Sequence, residues 1–353
     1  MSAPAVNKVM DALFSAAVAA KASDLHLVVG RPPTLRIDGA LVPVKGGLPL
    51  TTKQVSELVY SVLTKEQIAR FEKDLELDAA YTTGGARFRI NVHQEKNNVG
   101  LAARLVPVKI PSIADLALPQ AVADLTTLPH GLILVTGPTG CGKSTTLATL
   151  LNLINDRTAA NIITLEDPIE FLFPQGKALI RQRQLGEDMR TFADGLKHLL
   201  RQDPDIIMVG EMRDLETIAT TLTLAETGHL VFATLHTYSA STTIERIIDA
   251  FPPYQQNQIR VQLASVLRAV VTQQLLPKRG SGRIAVREVM FNVSAVSNLI
   301  REGKSAQMET VLQTSSKYGM YTLAQDAKRL VAEGLIDAKD AQTLVIRPRE
   351  RIV

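Results

Sequence analysis

The pattern of apolar residues differs between the two parts of the chain. In the first hundred residues, short stretches such as Ala86 to Gln94 alternate apolar and polar side chains, which is typical of half-buried strands. Further along, continuous apolar stretches such as Gly131 to Val135 precede segments with helical spacing, which is typical of parallel strands connected by helices. The pattern predicts a small α+β domain, a linker and an α/β domain with a parallel sheet and a helical tail, over residues 1–106, 107–117 and 118–353.

The same pattern predicts the individual elements. In the first domain we expect strands over 23–29, 34–39, 41–44, 78–81, 86–94 and 100–106, and helices over 1–22, 55–63 and 65–73. In the second domain we expect strands over 131–136, 161–166, 205–210 and 230–235. The expected helices lie near 143–155, 189–202, 215–227, 239–249 and 254–276, and residues 294–335 are expected to be mostly helical.

Composition excludes several classes of function. Of 353 residues, 46% are hydrophobic and 21% are charged, which is typical of a globular protein with a full core. The net charge is only +4, aromatic residues make up 4%, and there is no tryptophan, so we expect no nucleic-acid partner. A single cysteine cannot form an internal disulfide, which favours a reducing cytoplasm.

The chain also contains no run of 18 apolar residues, so we expect no direct insertion into a membrane. Residues 8–20 faintly resemble a signal peptide, but Asp11 interrupts the apolar run. The stripe of Val6, Met10, Leu13 and Ala17 favours an amphipathic helix instead.

Residues 137–145 read GPTGCGKST and match the phosphate-loop pattern G-x-x-x-x-G-K-[ST], between a predicted strand and a predicted helix. Glycines let the backbone approach an anion, and exposed N–H groups then point at phosphate oxygens. Lys143 would reach the β- and γ-phosphates of ATP, and Ser144 would hold Mg²⁺. The alternative is an accidental glycine-rich turn. The residues predicted to bind the nucleotide are Gly137, Pro138, Thr139, Gly140, Cys141, Gly142, Lys143, Ser144 and Thr145.

Carboxylates follow two of the predicted strands. Glu211 comes after the apolar stretch 205–210, where a phosphate-loop enzyme needs an acid to order Mg²⁺. Glu166 ends the strand 161–166 and is the best-placed residue to activate the attacking water. The nearby Asp167 and Glu170 are alternatively turn-capping residues beside Pro168.

Two histidines bracket the predicted strand 230–235. A six-residue gap between His229 and His236, without a cysteine cluster, does not favour a zinc site. From the residues alone, the simplest interpretation is that these histidines lie at the edge of a strand and have their hydrogen bonds satisfied within the fold.

These motifs resemble those of the secretion-ATPase superfamily, and most closely those of the type IV pilus retraction ATPases, the PilT class. The resemblance rests on the phosphate loop, TLEDPIEF at 164–171, VGEMRDLETI at 209–218 and AETGHLVFATLHT at 225–237, with SDLHL at 23–27 and PPTLRIDG at 32–39. It implies a PAS-like N-terminal domain, a RecA-like P-loop ATPase domain and a homohexamer.

The resemblance also implies roles for individual residues. It makes Glu166 the catalytic glutamate, Glu211 the Walker B acid and His229 a sensor of nucleotide state, with His236 as a second candidate. It further implies that Arg87, Arg89 or Arg104 acts on the nucleotide of a neighbouring subunit. Ser297 stands where the family has an arginine in an AIRNLIRE-like segment at 295–302.

The predicted function is therefore that of a cytoplasmic hexameric motor that couples Mg·ATP hydrolysis to pilus retraction. Expected partners are an inner-membrane pilus platform protein and a second retraction ATPase. One alternative is an accessory, weakly hydrolysing scaffold, which Ser297 supports. Another is a monomeric phosphate-loop kinase, for which the sequence offers neither an acceptor pocket nor a lid.

Overall fold

The structure is a computed structural model that describes residues 8–37, 39–106, 109–280 and 282–344. The chain divides into two compact units, residues 1–109 and 110–353. The predicted linker spans this boundary, and its residues 107 and 108 lie outside the described residues, as do residues 1–7 of the predicted first helix. Within the described ranges, every helix is too short or too polar to cross a lipid bilayer.

An antiparallel six-stranded sheet forms the first unit, with strand order β3-β2-β1-β6-β5-β4. Its strands are β1 Asp24–Leu27, β2 Thr34–Ile37, β3 Ala40–Pro43, β4 Glu76–Thr83, β5 Ala86–Glu95 and β6 Asn98–Val106, and its helices are α1 Lys8–Ala19, α2 Thr52–Tyr60 and α3 Lys65–Asp74. Capping boxes at Thr51 and Thr64 start α2 and α3.

The core of this unit lies on one face of the sheet. Alternate residues of β5, such as Phe88 and Ile90, are fully buried there, and the ring of Phe14 from α1 packs 4.4 Å from that of Phe88. The residues between them face the opposite side, so the alternation read from the sequence sets which side chains are available on the outer face.

A seven-stranded sheet forms the second unit, with strand order β13-β12-β7-β11-β10-β8-β9. All neighbours are parallel except the β12–β13 pair. The strands are β7 Gly131–Thr136, β8 Asn161–Glu166, β9 Leu179–Gln184, β10 Ile206–Val209, β11 Leu230–Leu235, β12 Leu267–Pro277 and β13 Arg283–Phe291. The four strands predicted between 131 and 235 are confirmed.

Helices cover both faces of this sheet, which gives the mixed α/β fold. They are α4 Gln120–Ala123, α5 Lys143–Arg157, α6 Phe192–Leu199, α7 Leu215–Glu226, α8 Ala240–Asp249, α9 Pro253–Val266, α10 Ser294–Arg301, α11 Met308–Thr314, α12 Leu323–Ala332 and α13 Ala338–Ala341. Fully buried strand residues face both layers, which include Leu134 and Val231 on one side and Ile133 and Phe232 on the other. This two-sided burial explains the continuous apolar stretches.

One predicted helix, over 254–276, is wrong in its second half. The helix ends at Val266, and the chain enters β12 at Leu267 with extended backbone (φ −61°, ψ 136°). Neither glycine nor proline marks this change, so the sequence carried no break signal. The prediction also missed β9 and β13, which are the two edge strands of the sheet.

Candidate active site

The phosphate loop connects β7 to α5 at the carboxyl edge of the parallel strands. Gly137, Gly140 and Gly142 have φ of +138°, +78° and +88°, which is backbone that only glycine adopts readily. At Gly137 a Cβ atom would lie 2.2 Å from the carbonyl oxygen of Gln273 and 2.7 Å from Sγ of Cys141. The glycine is therefore required by close packing as well as by φ.

Lys143 is buried at the first position of α5 and folds back over the loop. Its Nζ donates to the carbonyl oxygens of Gly137 (2.8 Å) and Pro138 (3.2 Å). Burial lowers the pKa of Lys143, and the charges of Cys141, Glu211 and Glu170 partly oppose that shift. A phosphate is a stronger acceptor than a carbonyl, so an incoming phosphate would compete for this ammonium group.

Glu211 follows β10, as predicted, and faces the loop through a short chain of polar contacts. Its oxygens accept from Arg213 Nη2 (2.7 Å) and lie 3.1 Å from His236 Nε2. The other ring nitrogen of His236 lies 3.4 Å from the hydroxyl of Thr139. Burial alone would raise the pKa of Glu211, but the Arg213 hydrogen bond and the charge of His236 lower it overall. The site therefore holds an ionised carboxylate beside the phosphate loop.

Glu166 is the last residue of β8, as predicted, at the carboxyl edge of the parallel strands. It is buried, and Oε1 accepts from Thr164 Oγ1 (2.6 Å) and Gln182 Nε2 (3.0 Å). Burial raises the pKa of this carboxyl, and the two hydrogen bonds only partly compensate. Glu170, four residues further on, is exposed and is close enough to Lys143 to act on its pKa.

Gln273 is a site residue that the sequence did not reveal. It lies on β12, is 1% exposed, and donates through Nε2 to the carbonyl oxygen of Cys141 (2.8 Å). Its Oε1 accepts from Thr146 Oγ1 of α5 (3.0 Å). The glutamine thus fixes both the phosphate loop and the first turn of the helix behind it. No local signal was available, because its partners are more than a hundred residues away in sequence.

The two histidines lie at opposite ends of β11. His236 follows the carboxyl end, beside the phosphate loop, whereas His229 precedes the amino end. The carbonyl oxygen of His229 accepts from Gly131 N (3.0 Å), and its Nδ1 lies 2.9 Å from the carbonyl oxygen of Leu224. The six residues of β11, at about 3.3 Å each, separate the two histidines. The structure therefore brings His236, and not His229, to the phosphate loop of the same chain.

The three arginines lie together on the outer face of the first unit. Arg89 is directly opposite Arg104 in the β5–β6 register, and Arg87 lies two residues before Arg89 on the same face. Nε of Arg104 donates to Asp24 Oδ1 (2.9 Å), although the arginine side chain is 71% exposed. Opposed like charges are unfavourable on a sheet surface, so this face favours an anionic partner.

The donors around the loop fit Mg²⁺. Ser144 supplies a hydroxyl in the first turn of α5, and Glu211 supplies an ionised carboxylate at the end of β10. Hydroxyl, carboxylate and water oxygens are the ligands that Mg²⁺ takes in nucleotide sites.

Comparison with known proteins gives the chain's relatives. The family model described as type II/IV secretion system protein matches residues 2–343. The chain is 45% identical to the type IV pilus retraction ATPase PilT of Pseudomonas aeruginosa, over 91% of this chain and 93% of that one. It is 37% identical to the type IV pilus ATPase PilU of the same organism, over 90% and 84%.

A solved structure of the pilus retraction motor PilT with bound ADP is also similar. It has a TM-score of 0.90 and 42% identity, and the match covers 98% of both chains. The mixed α/β fold described above is thus the fold of that motor.

Proposed function

The chain belongs to the type II/IV secretion system protein family, and we propose that it is a motor ATPase that couples Mg·ATP hydrolysis to type IV pilus retraction. One arrangement carries the proposal. Lys143 lies over a complete phosphate loop, and Thr139, His236 and Glu211 form a continuous polar chain beside it. The similarity to the two pilus ATPases supports pilus retraction as the process that this motor drives.

The chain's own residues supply the parts of phosphoryl transfer. The loop amides and Lys143 bind the triphosphate, and Ser144 and Glu211 would hold Mg²⁺, which neutralises charge on the phosphates when bound. Arg213 and His236 keep Glu211 ionised and oriented. His236 also contacts Thr139 of the loop, so it is placed to respond to the γ-phosphate. A role for His229 as a sensor remains a prediction.

Two carboxylates are candidates for activating water, and their surroundings separate them. A base that takes a proton should be ionised and able to reach the phosphate. Glu166 ends β8 at the carboxyl edge of the sheet, and burial raises the pKa of its carboxyl, which suits a group that accepts a proton. Its Oε1 accepts two hydrogen bonds that orient it. Glu170 is exposed and influences Lys143 electrostatically. We therefore assign water activation to Glu166, as the sequence predicts, and an electrostatic role beside Lys143 to Glu170.

Paired substitutions test this assignment. Glu166→Gln should lower kcat by about 100-fold or more, while ATP still binds. Glu170→Gln removes a charge that acts on Lys143, so it should lower kcat less. Equal losses in both variants, or a larger loss for Glu170→Gln, would contradict the assignment.

The assembled enzyme is proposed to be a cytoplasmic homohexamer with a PAS-like first unit and a RecA-like second unit. In it, Arg87, Arg89 or Arg104 of one subunit would act on the triphosphate of the next, because Arg89 and Arg104 lie opposite each other on an exposed face, where like charges favour an anionic partner. The proposed partners are an inner-membrane platform protein and a second retraction ATPase, with no nucleic acid and no membrane insertion.

ATP hydrolysis per subunit as a function of protein concentration tests the assembly. If the site needs a neighbour's arginine, specific activity should rise steeply and then level off as the particle mass reaches that of six subunits. Lys143→Ala is the inactive control. Full activity in a particle with the mass of one subunit would refute the shared site.

An accessory role in the pilus motor is the second candidate. It is favoured by the similarity to the pilus ATPase PilU and by Ser297, which stands where the family segment has an arginine. In that case turnover should stay low at every concentration and rise only when a retraction ATPase is added. Full turnover in the protein alone would exclude it.

A further inference from the structure

Glu288 is a buried carboxylate that no step of the proposed mechanism uses. It lies on β13, the antiparallel edge strand of the second unit, and is 7% exposed. Its Oε1 accepts from the backbone N–H of Ala240, the first residue of α8, at 2.7 Å. Burying a carboxylate is unfavourable unless donors of this kind satisfy it, so its donors show which parts of the fold it stabilises.

A second helix starts beside the same carboxylate. Val289 and Tyr321 exchange backbone hydrogen bonds of 3.0 and 3.2 Å, which brings the start of α12 next to Glu288. Burial raises the pKa of the Glu288 carboxyl, and backbone hydrogen bonds from Ala240 and from Leu323, the first residue of α12, partly oppose that rise. One carboxylate therefore joins the amino ends of α8 and α12.

The caps of the two helices leave this position to Glu288. Ser239 caps α8 by accepting from the N–H of Thr242, and Thr322 caps α12 by accepting from that of Gln325. Both caps satisfy the third N–H of their helix, so the first N–H needs another acceptor. Glu288 supplies it, and its negative charge faces the partial positive charge at both amino ends.

Only a short segment separates α8 from the polar chain beside the phosphate loop. His236 follows the carboxyl end of β11, and Ala240 comes four residues later. The hydroxyls of Thr237 and Thr243 lie 2.6 Å apart, which holds this segment against the first turn of α8. The position of His236, and with it the contacts to the loop and to Glu211, therefore depends on where α8 starts.

We propose that Glu288 is a positioning residue that fixes the segment after His236 and transmits a change at His236 to α12. The inference rests on the proposed ATPase function. Nucleotide bound in the loop displaces the segment between β11 and α8, and the start of α12 follows because both helices bind the same carboxylate. The phosphate loop and the helical tail are thus connected through one buried side chain.

Steady-state kinetics of the full chain test the positioning role. Glu288→Gln replaces one carboxylate oxygen with an NH₂ donor and removes the charge, so it should lower kcat by about tenfold and change the KM for ATP little. The double variant with His236→Ala should be no slower than His236→Ala alone, because both changes act through one residue.

The matched control is Glu309→Gln, since Glu309 is exposed on α11 and lines the same small cavity as Glu288. Its kcat should equal that of the natural protein. A Glu288→Gln variant that resembles this control, or losses that multiply in the double variant, would overturn the inference.

Hydrogen exchange of the amides in residues 322–326 gives a readout that a loss of stability alone would not produce. In the natural protein these amides should exchange at different rates with a non-hydrolysable ATP analogue and with ADP, and Glu288→Gln should abolish the difference. A difference that persists in the variant, or that is absent from a natural protein that binds both nucleotides, would overturn the inference. Failure of the natural protein to bind either nucleotide would refute the proposed function itself. Glu288→Asp, which keeps the charge on a shorter side chain, provides the test if the glutamine variant does not fold.

Discussion

Gln273 gives the sharpest test of how the phosphate loop is held. Replacing it with alanine leaves the carbonyl oxygen of Cys141 and the hydroxyl of Thr146 without their partners, in a position that is 1% exposed. Each buried polar group left unsatisfied costs about 1–3 kcal/mol. We therefore expect Gln273→Ala to lower the free energy of unfolding by about 3 kcal/mol.

The loop should also lose its preformed shape, because Gln273 contacts it on one side and the turn of α5 on the other. The free-energy cost of ordering the loop would then oppose nucleotide binding. A cost of about 1.4 kcal/mol corresponds to a tenfold weaker affinity for ATP. Urea unfolding and titration with a fluorescent ATP analogue measure the two effects.

The control is Gln262→Ala, since Gln262 on α9 is half-buried and its side chain donates to the exposed Glu226 (2.7 Å). Positions of this kind, away from the core, usually change stability by less than about 0.5 kcal/mol. The reasoning fails if Gln273→Ala resembles the control in both unfolding and ATP affinity.

Three further predictions address the loop and the carboxylates. Gly137→Ala should abolish ATP binding in the same titration, because its Cβ would lie 2.2 Å from the oxygen of Gln273, whereas Gly140→Ala, with open space, should weaken it less. His236→Ala should lower kcat by about tenfold or more by releasing Glu211, and His229→Ala should lower it less; the opposite order in steady-state assays would favour His229 as the sensor. Because the native pKa of Glu166 is raised, the unfolded state releases this proton first, and stability falls as pH rises from the ordinary value of 4.5 through the native pKa. Glu166→Gln removes that loss, so the free energy of unfolding of the variant relative to the natural protein should increase with pH across this window. Urea unfolding measures this difference, and a difference that does not change with pH would contradict the prediction.

The phosphate loop could be located from the sequence because its chemistry is local. Glycines, the lysine and the hydroxyl lie within nine residues, between a strand and a helix that each have clear patterns. The parallel strands were predictable for a similar reason, since burial on both faces leaves continuous apolar stretches. The second half of the helix expected over 254–276 was wrong because a β-branched strand follows α9 without any residue that breaks a helix.

The histidines show how much strand order alone can predict about a site. In parallel sheets, ligands bind at the carboxyl ends of the strands. His236 comes after the predicted strand 230–235 and His229 before it, so the topology alone places His236 beside the phosphate loop. The resemblance instead favoured His229. Gln273 differs, because only the folded sheet brings β12 against the loop.

Ser297 differs in charge from the arginine of the family segment, and the structure shows that it also has a role in packing. It is buried on α10, and its Oγ donates to the carbonyl oxygen of Ala264 (3.1 Å), which also accepts from Asn292 Nδ2 (2.9 Å). Carbonyl groups in the last turn of a helix lack partners within the helix, so these contacts fix the end of α9. The chain enters β12 directly from there, and β12 carries Gln273 to the phosphate loop. The serine therefore influences the site by fixing the position of β12. A charged residue on the surface would not make these buried contacts.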